Sequence, residues 1–129
     1  MRQEIWIPFL MPSNNELRRK YRNHHAYRRF LWGVMWAIKA SCDIPEGRPI
    51  NRRRVTIVAH VKKRLDGDNF DGGLKPLWDA LQRLNFIRTD HDRWIDRRTS
   101  QRIIRPAGSD EPWTEVVIEP AGKEVADAG

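Results

Sequence analysis

Apolar positions along the chain fall into six patterned runs, and each marks an element. The segment "QEIWIPF" reads as a first strand, stopped near Pro8 because proline cannot donate to a ladder. "PSNNE" follows as a turn, and Ser13 and Glu16 have the spacing of a capping box, which predicts a helix next. The strongest part of that helix is Tyr27, Phe30, Leu31, Val34, Met35, Ile38 and Cys42, an i, i+3, i+4 stripe. Trp32 and Trp36 lie off its centre, and core packing is the role expected of them and of Trp113. "DIPEGRP" breaks the helix. "RRVTIVAHVKK" is a strand, with Val55, Ile57, Ala59 and Val61 alternating with Thr56, Val58, His60 and Lys62. "GGLKPLWDALQRLN" carries a second helical stripe through Leu74, Leu77, Trp78, Leu81 and Leu84. Pro76 fits its first turn and Asn85 its exit. "RWIDRRTSQRII" and "WTEVVIEP" read as two antiparallel strands around the loop "RPAGSDEP". The order β-α-β-α-β-β predicts an α/β (α+β) fold, a single mixed sheet with helices packed on it.

Length sets the scale. The chain has 129 residues, enough for one domain with one core. Residues 1–120 are expected to form it, with the small, polar stretch 121–129 as a flexible tail. No apolar run approaches the roughly 20 residues that span a bilayer, and the N-terminus lacks a signal-peptide layout. Cys42 is the only cysteine, so no intrachain disulfide can form. A cytoplasmic location is expected.

Charge changes the picture more. The formal net charge is +7, but it is unevenly spread. From Leu17 to Leu65 the chain has 14 Lys or Arg against Asp43 and Glu46, a net of +12. From Asp66 to Asp96 it has seven acids against Lys75, Arg83, Arg88 and Arg93, a net of −3. A basic half of this size points to a polyanion, most often nucleic acid.

The acids concentrate in "RLDGDNFDGGLK". Placed at a strand end, Asp66 and Asp68 share a face. Two carboxylates on one face make half of a site for a hard cation such as Mg²⁺. Asp90 or Asp92, in "RTDHDRW", would supply the third oxygen. An EF-hand is excluded, because counting from Asp66 puts Phe70, Asp71 and Leu77 where that loop needs an oxygen ligand, Gly and Glu. Zinc is disfavoured, since Cys42 has no partner at ligand spacing and His24, His25, His60 and His91 are scattered over surface, strand and loop. Lys75 and Asp79 are four apart on one helix face. They form either an exposed pair or a cation set beside the metal site, where it would stabilise developing negative charge.

Four segments together resemble the RusA family of crossover-junction endodeoxyribonucleases. "MPSNNE" is similar to the family's Pro-Ser-Asn-Asn turn, "RLDGDN" to its Asp-x-Asp-Asn motif, "LKPLWDAL" to its Lys-x-x-x-Asp-Ala-Leu helix and "NFIRTD" to the segment that closes its site. The resemblance implies that Asp66, Asp68 and Asp90 hold Mg²⁺ (or Mn²⁺), with Asp92 as the alternative third ligand. It implies that Lys75 is the catalytic lysine, that Asp79 supports the site by holding Lys75, and that Asn69 fixes the turn. Members are small homodimers, many of them phage-encoded, that resolve four-way (Holliday) junctions by paired nicks in recombination and repair. On that reading the phosphate grips are Arg18, Arg19, Lys20, Arg22, Arg52, Arg53, Arg54, Lys62, Lys63 and Arg64. The chain departs from the family pattern in three places. "FDGGL" makes the link from Asn69 to Lys75 three residues longer than the compact form. Thr89-Asp90 stands for paired aspartates, and Asn85 for glycine. Two rival readings remain: a non-catalytic module for branched or single-stranded DNA, and a Mg²⁺-dependent nuclease for flaps or duplex.

Overall fold

A computed structural model describes residues 1–104 and 111–122. The elements in chain order are β1 (Gln3–Ile7), α1 (Asn14–Lys20), α2 (His24–Ser41), β2 (Arg53–Val61), α3 (Gly67–Gly73), α4 (Lys75–Arg83), β3 (Ile95–Ile103) and β4 (Trp113–Pro120). The strands form one mixed sheet in the order β1-β4-β2-β3. β4 pairs antiparallel with both β1 and β2. β2 and β3 are parallel, with Val55 opposite Arg97 and Ala59 opposite Gln101. A parallel pair needs a crossover, and α3 and α4 supply it.

The α+β class and the single mixed sheet agree with the sequence reading. Most of the expected loop "RPAGSDEP" (105–110) and of the expected tail (123–129) lies outside the described residues. Two details of the element order differ. β3 and β4 run in opposite directions but do not pair, because β2 lies between them. The reason is composition. β4 turns Thr114, Val116 and Ile118 into the core, whereas β3 turns in Ile95 and then Arg97, Thr99 and Gln101, of which only Ile95 is buried. A strand with a charged and polar middle suits a sheet edge. The first helical region also breaks in two, where Asn23 caps α2 by accepting from the His25 N–H at 2.8 Å.

The core lies on one face of the sheet. Ile5, Ile7, Val55, Ile57, Ala59, Val61, Val116 and Ile118 meet Leu31, Val34 and Ile38 of α2, Phe70 of α3 and Leu77, Trp78 and Leu81 of α4. The opposite sheet face carries Trp6, His60, Trp113 and Glu115, with the His60 ring stacked on Trp113 at 3.8 Å. Trp32 and Trp36 do not pack in the core; they are 57% and 71% exposed. Among the described residues no helix is long and apolar enough to cross a membrane.

Candidate active site

The acidic centre is built on helix, not on strand. β2 ends at Val61, and Asp66 is the N-cap of α3, with Asp68 in its first turn. Acids suit that position because the helix dipole favours negative charge there, although the Asp66 side chain makes no capping hydrogen bond. The strand-end placement is therefore corrected, and with it the shared face, since residues two apart on a helix diverge. The expected "FDGGL" loop is corrected too: it is most of α3. Its glycines serve close approach. A Cβ on Gly73 would lie 1.9 Å from the Pro12 carbonyl oxygen, and one on Gly72 would lie 2.6 Å from Asn14 Cγ.

The "PSNN" turn is thus packed on the "DGDN" helix. Ser13 Oγ accepts from the Glu16 N–H at 3.1 Å and starts α1. Asn69 Oδ1 accepts from the Asn15 N–H at 3.0 Å and ties α3 to that start. Two segments more than fifty residues apart in sequence meet through one amide.

β3 holds the other side. Its helix-facing positions Arg97, Thr99 and Gln101 each grip a different part of the acidic region. Gln101 makes two hydrogen bonds to the Leu65 backbone: Oε1 accepts from its N–H at 3.0 Å, and Nε2 donates to its carbonyl at 3.0 Å. Thr99 Oγ1 donates to Asp71 Oδ1 at 3.0 Å. Arg97 donates to the Asp90 carbonyl at 2.6 Å, lies 3.9 Å from the Asp92 carboxylate, and stacks its guanidinium 4.6 Å from the Trp78 ring centre. The sequence reading passed over these three residues. Their signal was present: alternate polar positions where an inward strand face calls for apolar ones.

Asp66, Asp68 and Asp90 are all exposed, and none of their carboxylates accepts a hydrogen bond among the described residues. Their chemistry, three open oxygen donors, fits a hard cation. Their grouping is less complete: among the described residues no group of three or more His, Cys, Asp or Glu lies close enough to hold one metal ion. The strand shows why. Asp90 is anchored at Arg97 and the approach to Asp66 at Gln101, four residues or roughly 13 Å apart along β3.

Lys75 opens α4 and Asp79 lies one turn on, and both turn to Tyr27 of α2. The Tyr27 hydroxyl donates a short hydrogen bond to Asp79, and the Lys75 ammonium sits 5.3 Å from the centre of the Tyr27 ring. Burial, the bond to Asp79 and that carboxylate's charge, in this order, raise the phenol far above its ordinary range. No Lys75–Asp79 ion pair occurs among the described residues, so the expectation that Asp79 holds Lys75 directly is corrected: they meet through a tyrosine.

The expected phosphate grips divide. Arg18, Arg19, Arg22, Lys62, Lys63 and Arg64 are exposed. Lys20 pairs with Glu16 at 3.7 Å, and Arg64 also donates to the Gln101 carbonyl at 3.2 Å. Arg52 and Arg54 are turned to structural work: Arg52 donates to the carbonyls of Asp92 and Ile95, and Arg54 pairs with Asp96 at 2.9 Å. Arg53 is half-buried.

No protein-family model matches the chain, and no curated protein matches it.

Proposed function

We propose that the protein is a Mg²⁺-dependent endonuclease for branched DNA, of the kind the RusA family represents. One observation carries this reading. Of the four segments that resemble the family, three follow one another within residues 64–90, and the first, at residues 11–16, lies far from them in sequence yet adjoins them in space. The Pro12–Asn15 turn packs on the helix that Asp66 begins, and α4 and the 89–93 segment border the same edge of β3 through Arg97. A mere turn motif at 66–69 would have no reason to hold the distant Pro12–Asn15 turn against it.

Asp66 and Asp68 would hold the cation, with the third oxygen from Asp90 or Asp92, an assembly that requires these exposed side chains and the 89–93 segment to close on the ion, since they are not grouped among the described residues. When bound, the metal supplies a water of lowered pKa and neutralises phosphate charge. Lys75 presents its ammonium to the negative charge that builds on the phosphate. Its contact with the Tyr27 ring, worth about 0.5–1 kcal/mol at an exposed site, is weak enough to yield. Asp79, held by Tyr27, sets the pitch of α4 from which Lys75 projects. Arg18, Arg19, Arg22, Lys62 and Lys63 hold flanking phosphates without reading bases. Paired nicks across a two-fold junction call for a two-fold dimer.

The test is a labelled four-way junction incubated with the protein in Mg²⁺ and in EDTA. Symmetric nicks in Mg²⁺ alone are expected, lost in Asp68→Asn while junction binding persists. Equal cleavage of four-way, flap and linear DNA would leave a nuclease without junction preference. Binding with no cleavage would leave the non-catalytic module.

A further inference from the structure

The outward face of α2 takes no part in the acidic centre or the core. Leu31, Val34 and Ile38 are buried on the inner side of this helix. The opposite side presents Trp32 and Trp36, 57% and 71% exposed, one turn apart. Exposed tryptophans are costly to leave in water, and two on one stripe mark a contact surface.

Charge says what kind of contact. From Leu17 to Cys42 the chain has seven Lys and Arg and no Asp or Glu. On α2 these are Arg28, Arg29 and Lys39, and no ion pair among the described residues uses any of them. Lys39 Nζ lies 5.4 Å from the centre of the Trp36 ring, so a cation already flanks one of the two aromatic surfaces. A second copy of the chain is a poor occupant, because pairing this face with itself sets like charges together. A membrane is a poor one as well, because the helix's apolar stripe is spent on the core and only two rings remain to enter lipid.

We propose that this face is a stacking site for an unpaired DNA strand, with bases on Trp32 and Trp36 and phosphates on Arg28, Arg29 and Lys39. Interleaved aromatics and cations are how sequence-tolerant single-strand sites are built. The axial spacing argues for a single strand over a duplex. Four residues of helix rise about 6 Å, wider than the roughly 3.4 Å between bases stacked in B-form DNA. Neighbouring bases reach both rings only when the strand is stretched. The choice of DNA rests on the nuclease reading; the stacking does not. Beside a junction cutter, such a site would hold a strand frayed from the branch point.

The test is fluorescence anisotropy of a labelled oligothymidylate in EDTA, where no cleavage occurs. Trp32→Ala/Trp36→Ala is expected to weaken binding at least about tenfold with the salt slope unchanged, and Trp36→Phe to stay within about threefold of wild type. An abasic strand of the same length should bind wild type as weakly as the double variant binds the base-bearing strand. Both rings are exposed, so circular dichroism of the double variant should match wild type. The proposal falls if the double variant binds within twofold of wild type, or if the abasic strand binds as tightly as the base-bearing one. It also falls if oligouridylate binds more than tenfold tighter than oligothymidylate. Capture by vesicles of three parts phosphatidylcholine to one of phosphatidylserine, without strand binding, would assign the face to lipid. A change from dimer to monomer in the double variant, with strand affinity intact, would assign it to self-association. A protein that stacks the strand yet never nicks a junction keeps this proposal and loses the nuclease reading.

Discussion

Tyr27→Phe isolates one hydrogen bond on which the geometry of α4 depends. The substitution removes the hydroxyl that donates to Asp79 and keeps the ring that Lys75 rests on. A hydrogen bond to a charged group contributes about 1.5–3 kcal/mol, and its loss also strands a half-buried carboxylate. Solvent reaches part of the pair, so the lower range applies, about 1–2 kcal/mol. With a urea slope of about 2 kcal/mol per molar for a domain of this size, the unfolding midpoint should fall by about 0.5–1 M. The same bond has a second signature. The chain has only two tyrosines, Tyr21 and Tyr27. The Tyr27 phenol is raised above its ordinary value of 10.0, so it holds its proton in the folded state where the unfolded chain would release it. Its contribution to stability is complete below pH 10 and is lost as pH rises through the folded pKa. Absorbance of tyrosinate should therefore show a phenol ionising well above pH 10, a step that Tyr27→Phe should remove. A double-mutant cycle with Asp79→Ala should return a coupling of about 1–2 kcal/mol. A midpoint shift under about 0.2 M, or a difference titration of wild type against Tyr27→Phe centred at the ordinary phenol value of 10.0, would refute the reasoning.

Two further predictions concern the frame around the acids. Gly73→Ala sets a methyl 1.9 Å from a backbone carbonyl that cannot step aside, so it should cost about 2–3 kcal/mol, seen as a melting temperature lower by about 10 °C. Gly72→Ala meets only the Asn14 side chain and should cost clearly less. The Arg54 hydrogen bond, joined by Arg98, depresses Asp96 below its ordinary 3.8. Stability from this group is present above pH 3.8 and lost as pH falls through the folded pKa. Urea midpoints taken from pH 5 to pH 2 should show a loss of about 0.5–1 kcal/mol that Asp96→Asn removes.

The apolar stripes were legible because each answers to one buried surface. Leu74, Leu77, Trp78, Leu81 and Leu84 all lie in the core, and Asn85 takes the positive φ of 67° expected at the exit of α4. Local chemistry was legible for the same reason: Ser13 caps α1 whatever lies beyond it. α3 was not legible, because three glycines in seven residues argue for a loop. Only the partner across the gap, the Pro12 carbonyl, makes glycine the residue a helix needs there. The tryptophans of α2 failed in the other direction. Hydrophobicity argues for burial, but Trp32 and Trp36 sit nearly opposite the Leu31–Val34–Ile38 stripe, and a helix cannot bury both faces against one sheet.

The polar middle of β3 joins these cases. A strand that turns Arg97, Thr99 and Gln101 toward helices gives up apolar burial at three consecutive inward positions. Each instead engages one piece of the acidic region: the Asp90–Asp92 segment, Asp71, and the residue before Asp66. Stability alone would favour valine or isoleucine there, as in the neighbouring Val55, Ile57 and Ala59. The sacrifice is intelligible if the acids must be held in defined places rather than left to repel at random. That also accounts for the charge map: the strand that positions the acids is an edge strand, open to solvent and to a ligand, and the cations of α1 and of Lys62–Arg64 lie beside the helix that begins with Asp66.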